Sequence, residues 1–169
     1  ALIEWFHRHN HHRLQWFSLI IAILLGWYTF ESARVWPSYL SYFNQVAGGP
    51  SGGYRFVTDS NLDWGQDIKR LGQWLEKNNV EKVSLDYFGW SDPVYYLGSR
   101  HVYTTGSYWK DANDFMRHNS SDGWIAISAT YFQQATNRDK PEDNTYRWLL
   151  DYQPVTVIGN SIFIWHIQK

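Results

Sequence analysis

The chain has no cysteine and one methionine. Without thiols it has no disulfide scaffold, thiolate zinc site, CxxC redox pair or cysteine nucleophile, and its compartment is left open. Charge is sparse as well, at 18% of residues, and nearly balanced: 15 Lys and Arg against 16 Asp and Glu give a formal net charge of -1. No global field is available to recruit nucleic acid or an anionic surface. Charge is missing altogether between Arg13 and Glu31. What the chain does hold is rings. Aromatics reach 19%, with 11 Trp and 12 Tyr among 169 residues. They suit cores, membrane interfaces and sugar-stacking surfaces. Hydrophobic residues at 44% support a packed core in one domain with at most a small appendage. The chain opens on Ala1, which reads as a piece of something longer.

Leu14 to Phe30, roughly 17 residues, is long enough for a helix to cross the hydrocarbon layer, and Trp16, Trp27 and Tyr28 mark its ends. Ser32-Ala33-Arg34-Val35 is a poor cleavage site, so the segment reads as a membrane helix over 14–36 rather than a signal peptide. Arg8 and Arg13 precede it, with His7, His9, His11 and His12 beside them, while Glu31 and Arg34 nearly cancel after it. The positive-inside rule then places 1–13 as a cytoplasmic flank and everything after about 36 outside. His7 and His11 share a helical face, but no carboxylate or cysteine completes a metal site, and a solvated headgroup-facing stretch fits better.

Residues 37–53, with Pro37 and Gly48-Gly49-Pro50-Ser51-Gly52-Gly53, read as a linker. It is not a phosphate loop, because a strand rather than a helix is expected to follow. Residues 54–169 alternate strand and helix signals: strands at Tyr54–Thr58, Lys82–Tyr87, His101–Thr104 and Gly123–Ser128; helices over 62–78, after Asp92-Pro93, at Asp111–Met116 and over Asp143–Tyr152. The first helix places Trp64, Ile68, Leu71 and Leu75 on one face. Val155–Ile158 and Ser161–Ile167 flank Gly159-Asn160, a hairpin signal. The expected fold is α/β: an N-terminal transmembrane helix, then a mostly parallel three-layer sheet domain with a C-terminal antiparallel hairpin.

One stretch is densely polar: Asp59-Ser60-Asn61-Leu62-Asp63-Trp64-Gly65-Gln66-Asp67. As a calcium loop it has Asp59, Asn61 and Asp63 in place, yet Trp64 stands where glycine is needed and Arg70 where a bidentate Glu belongs. As capping chemistry, Ser60 pairs with Asp63, and Asp63 and Asp67 put negative charge at a helix start. As a ligand or partner site, it would meet the loops after the next strands at the carboxyl edge of a parallel sheet. The candidate binding residues are Asp59, Ser60, Asn61, Asp63, Trp64, Gln66, Asp67, Asp86, Trp90, Ser128 and Thr130, a mixture of hydrogen-bonding groups and indole faces suited to a sugar. No cofactor, metal or nucleic acid is expected.

Tyr39-Leu40-Ser41-Tyr42-Phe43-Asn44, Gly48-Gly49-Pro50, the Asp59–Asp67 stretch, Trp124–Thr130 and Gly159–Phe163 together resemble the C-terminal part of bacterial membrane glycosyltransferases related to protein O-mannosyltransferases. The likeness covers most of residues 36–167. It implies many spanning helices upstream, a polyprenyl-phosphate-linked sugar as donor, and catalytic groups outside this chain, so no catalytic residue is carried over. The implied partners are the bilayer, a lipid-linked sugar or glycan acceptor, and the upstream helical bundle. Two other readings stand beside an accessory glycosyltransferase domain. One is a tethered structural or interaction module. The other is a self-contained hydrolase or transferase on Asp59, Asp63 or Asp86, which would need two carboxylates converging on one bond. Ser128 lacks a nucleophile-elbow context.

Overall fold

In the computed structural model, residues 2–104, 109–136 and 146–168 are described, with side chains from residue 13 onward. The imidazoles of His7, His9, His11 and His12, and residues 143–145 of the expected fourth helix, lie outside that set. The chain divides into two compact units, Ala1–Tyr39 and Leu40–Lys169.

The first unit is helix α1, Leu2–Val35. Its Arg13–Val35 stretch, 23 residues, spans about 34 Å and is long and apolar enough to cross a membrane.

In the second unit the glycine-rich segment is folded in rather than free. Ser41 is buried and accepts a hydrogen bond from Asn160 at 3.0 Å, and Phe43 packs against the core. A Cβ on Gly53 would lie 1.9 Å from the Phe43 ring, so only glycine lets the ring seat there. Tyr54–Thr58 is not a strand. Gly53–Arg55 is a 3-10 turn, with the amides of Phe56 and Val57 both donating to the Gly53 carbonyl. The apolar alternation is used instead to lay Tyr54 edge-on against Phe163, with ring centroids 4.8 Å apart.

Helix α2, Ile68–Lys77, starts later than its periodicity suggests. Residues 62–67 form a turn in which the Gly65 amide donates to Asp63 Oδ1 (2.8 Å) and the Trp64 amide to Gln66 Oε1 (2.8 Å). Side chains that take up backbone amides in this way compete with a helical first turn. Ile68, Leu71 and Leu75 are buried as expected, but Trp64 falls outside the helix and is exposed. Strand β1, Val83–Asp86, leads to α3, Pro93–Leu97, which Asp92 caps through the Val94 amide. Then follow β2 (His101–Tyr103), α4 (Ala112–His118), β3 (Trp124–Ser128) and α5 (Ala129–Thr136). Helix α5 occupies what reads from sequence as a loop. A 3-10 turn at Arg147–Asp151 replaces the described part of the expected last helix. Strands β4 (Thr156–Ile158) and β5 (Ile162–His166) form the expected hairpin, and Gly159 and Asn160 both have positive φ, 59° and 67°.

The sheet order is β2-β1-β3-β5-β4. β1 is parallel to β2 and β3, whereas β5 is antiparallel to β3 and β4, so the sheet is mixed and the parallel share is half the pairings. The missing first strand and the insertion of β5 beside β3 account for the difference from a mostly parallel sheet. Alternation along β3 sends Ile125 and Ile127 to one apolar cluster, with Phe115 of α4 and Phe132 of α5, and sends Ala126 to the other, with Leu71 and Leu75 of α2 and Leu97 of α3.

Candidate functional site

The carboxyl ends of β1 and β3 and the start of β5 lie at one edge of the sheet, and the polar stretch folds over that edge. Its anchors are internal hydrogen bonds. The Asp59 amide donates to Thr130 Oγ1 of α5 at 3.0 Å, and the Phe88 amide to Ser128 Oγ at 2.8 Å. Thr58 and Tyr54 are tied to Gln133, also on α5. Gly65 and Gly89 allow the 59–67 and 88–91 loops to touch: a Cβ on Gly89 would sit 2.6 Å from Gly65 Cα, and one on Gly65 would meet Tyr87 Oη at 2.1 Å.

The sequence-predicted residues then divide by exposure. Asp63 and Asp67 are buried, at 1% and 0% exposure. Asp67 Oδ1 accepts from Arg70 Nη1 (2.7 Å) and Oδ2 from Ser161 Oγ (2.7 Å) and Gln66 Nε2 (3.3 Å). Burial still holds its pKa above the ordinary carboxylate value, since desolvation outweighs Ser161 and Arg70. Asp63 Oδ1 accepts from the Gly65 amide, but its buried Oδ2 has no hydrogen-bond partner. Burial pushes its pKa up from 3.8 to about 6, and the Asp67 charge adds to this. Ser128 and Ser161 offset part of the shift without reaching hydrogen-bond geometry to Oδ2. Tyr87 Oη is likewise buried and unpartnered, and burial, with Asp63's charge adding, takes its pKa to about 12. Ser91 lowers this value somewhat, from a position short of a good bond.

Asp86 stands apart. The pleat turns it away from Tyr87 and onto the opposite face, where Oδ2 accepts from Tyr146 Oη at 2.5 Å. The phenols of Tyr146 and Tyr131 are both raised by burial first and by the Asp86 charge second. Asp63 and Asp86 therefore do not converge on one bond.

Asp59, Ser60, Asn61, Trp64, Gln66 and Trp90 form the exposed part of the edge. Asp59 has a φ of 60° and accepts the Ser60 amide on its own Oδ1 (2.6 Å). Trp64 is 54% exposed, but its Nε1 donates to the Ser60 carbonyl at 2.7 Å, which fixes the indole. Trp90 is 89% exposed. With Asp59 at the surface and Asp63 in the core, the two do not share a calcium centre. Among the described residues no group of three His, Cys, Asp or Glu could hold a metal. Two clefts lie elsewhere. One of about 870 Å³ sits at the starts of β1 and β3 between Lys82 and Trp124; one of about 500 Å³ lies between Tyr103, Trp109 and His118.

Sequence reasoning missed Tyr87, Arg70 and Ser161. A signal for Ser161 was present, since the hairpin turn places the residue after Gly159-Asn160 at the sheet edge where β1 and β3 end. No protein-family model matches the chain, and neither does any curated protein or solved structure.

Proposed function

We propose that the chain is the C-terminal part of a membrane glycosyltransferase that uses a polyprenyl-phosphate-linked sugar, with residues from Leu40 onward an accessory domain on the outer side of the bilayer. Helices over both sheet faces are read here as the outer layers of a three-layer domain. The reading rests on the sequence resemblance. The observation that carries a binding role is the pair of exposed indoles, Trp64 and Trp90, on two touching loops beside the exposed Asp59 and Asn61. An apolar platform next to hydrogen-bonding side chains fits a sugar ring of the acceptor or donor. The resemblance, not the geometry of this chain, puts the catalytic carboxylate upstream.

The test is ligand binding by the chain in detergent, followed by tryptophan fluorescence, with a polyprenyl-phosphate sugar and with free oligosaccharides. Trp90→Ala and Asn61→Ala, both surface changes, should weaken binding roughly tenfold each, the loss of about 1.4 kcal/mol. Equal affinity in both variants would remove the sugar-binding edge. A second reading, a tethered interaction module, is favoured by the way the buried carboxylates act as structural ties; it predicts no sugar binding by the unaltered chain.

A further inference from the structure

The segment between the spanning helix and the polar edge is unlike an ordinary water-facing surface. From Trp36 to Val57 the sole charged side chain is Arg55, although charged residues make up 18% of the chain. Within the folded unit, Leu40 (40%), Tyr42 (45%), Val46 (93%), Phe56 (64%) and Val57 (41%) are exposed. These are not side chains of a loose tether. Ser41 and Phe43 alternate with them and point inward, one bonded to Asn160 and the other packed on the core. Asn44 caps the turn that lifts Val46, accepting the Ala47 amide at 3.1 Å, and Gly48 closes it in the left-handed conformation. The Arg55 guanidinium lies 5.7 Å from the centre of the Tyr54 ring, an exposed cation among apolar neighbours.

Chain continuity names the partner. Helix α1 ends at Val35, so Leu40 follows within about 18 Å and Val46 within about 39 Å even if the chain were fully extended. A folded, ring-bearing segment with a single charge that close to the end of a membrane span sits where aromatic residues and an arginine meet lipid headgroups. We infer that residues 40–57 seat the second unit on the bilayer surface. Leu40, Tyr42, Val46, Phe56 and Val57 enter the boundary between headgroups and acyl chains, and Arg55 faces lipid phosphate. This rests on the reading of α1 as a membrane span.

The absence of cysteine makes the test clean, because a single introduced thiol is a unique labelling site. The full chain, carrying Val46→Cys, Phe56→Cys, Leu24→Cys or Lys77→Cys with an environment-sensitive nitrobenzoxadiazole label, is reconstituted in phosphatidylcholine–phosphatidylglycerol vesicles. All four positions are exposed, so the label should not disturb packing. The expected result is blue-shifted emission from positions 46 and 56, with a roughly twofold drop when lipids spin-labelled near the headgroup are included. Position 77 should stay water-like, and position 24 should respond to deep quenchers. Water-like emission at 46 and 56 with a deep position 24 overturns the seat and leaves the span standing. Blue-shifted emission without lipid quenching overturns it too, and assigns the segment to a protein neighbour. Water-like emission at position 24 removes the span and the seat together.

Discussion

Asp63 carries an unusual burden for one carboxylate: it is buried, its Oδ2 is unpartnered, and Asp67 lies close enough to raise its pKa further. A group whose folded pKa, about 6, lies above its ordinary 3.8 binds its proton more tightly in the folded state. Its contribution to stability is fully present below the unfolded pKa and is lost as pH rises through about 6. Asp67, also raised by burial, acts in the same direction. The thermal midpoint of the sheet unit, followed by its tryptophan signal, should therefore climb when pH falls from 7.5 to 5. Over that interval the Asp63 share is about 1.4 kcal/mol, because only the stretch from about 6 down to 5 is recovered. Asp63→Asn should raise stability at pH 7.5 and flatten most of this dependence. A variant with the same slope as the unaltered chain would mean that Asp63 is ionised and satisfied at neutral pH. The residue was legible in the sequence as a capping or binding carboxylate. Its burial was not, because that depends on Ser128, Ser161 and Tyr87 arriving at the ends of three strands distant in sequence.

At the scale of elements, the readings that held were those in which local chemistry and tertiary demand agree. Asp92-Pro93 caps and starts α3, Asn78 ends α2, and Gly159-Asn160 turns the last hairpin. Two of the readings that failed did so where glycine allowed a competing close contact. Tyr54–Thr58 has the alternation of a strand, yet the glycines before it let Phe43 pack over the backbone and coil it into a turn. The 62–78 helix loses its start to Asp63, Gly65 and Gln66, so the indole that periodicity put in the core becomes an exposed ring on the polar edge. The same physics makes Gly159 critical. Its φ is +59°, and a Cβ there would lie 2.0 Å from Asp67 Oδ2 inside the turn. Gly159→Ala should cost more than about 2 kcal/mol in unfolding free energy, from strain plus displacement of a buried carboxylate. Asn160→Gly keeps the turn and loses the bond to Ser41, so about 1 kcal/mol is expected. A smaller loss of denaturant midpoint for Gly159→Ala than for Asn160→Gly would mean that neither the turn strain nor the approach to Asp67 matters.

At the scale of the whole molecule, the two units draw on different physics. Both apolar clusters of the sheet take their members from residue 43 onward, so the second unit holds a complete core of its own. Helix α1, by contrast, leaves Leu19, Ile20, Ile23, Leu24 and Leu25 exposed along its length, which is costly in water and favourable in hydrocarbon. Changes to one unit should therefore leave the other's stability alone. Ile20→Arg together with Leu24→Arg puts two guanidinium groups near the middle of the apolar stretch, at about 2.5–3.5 kcal/mol each on insertion scales. The doubly substituted chain should be released from membranes by alkaline carbonate, whereas the unaltered chain stays in the pellet. The tryptophan-monitored midpoint of the sheet unit should be unchanged between them. A fall in that midpoint would mean that α1 supports the sheet as an ordinary packed helix, and its exposed leucines and isoleucines would then need a protein cover rather than lipid.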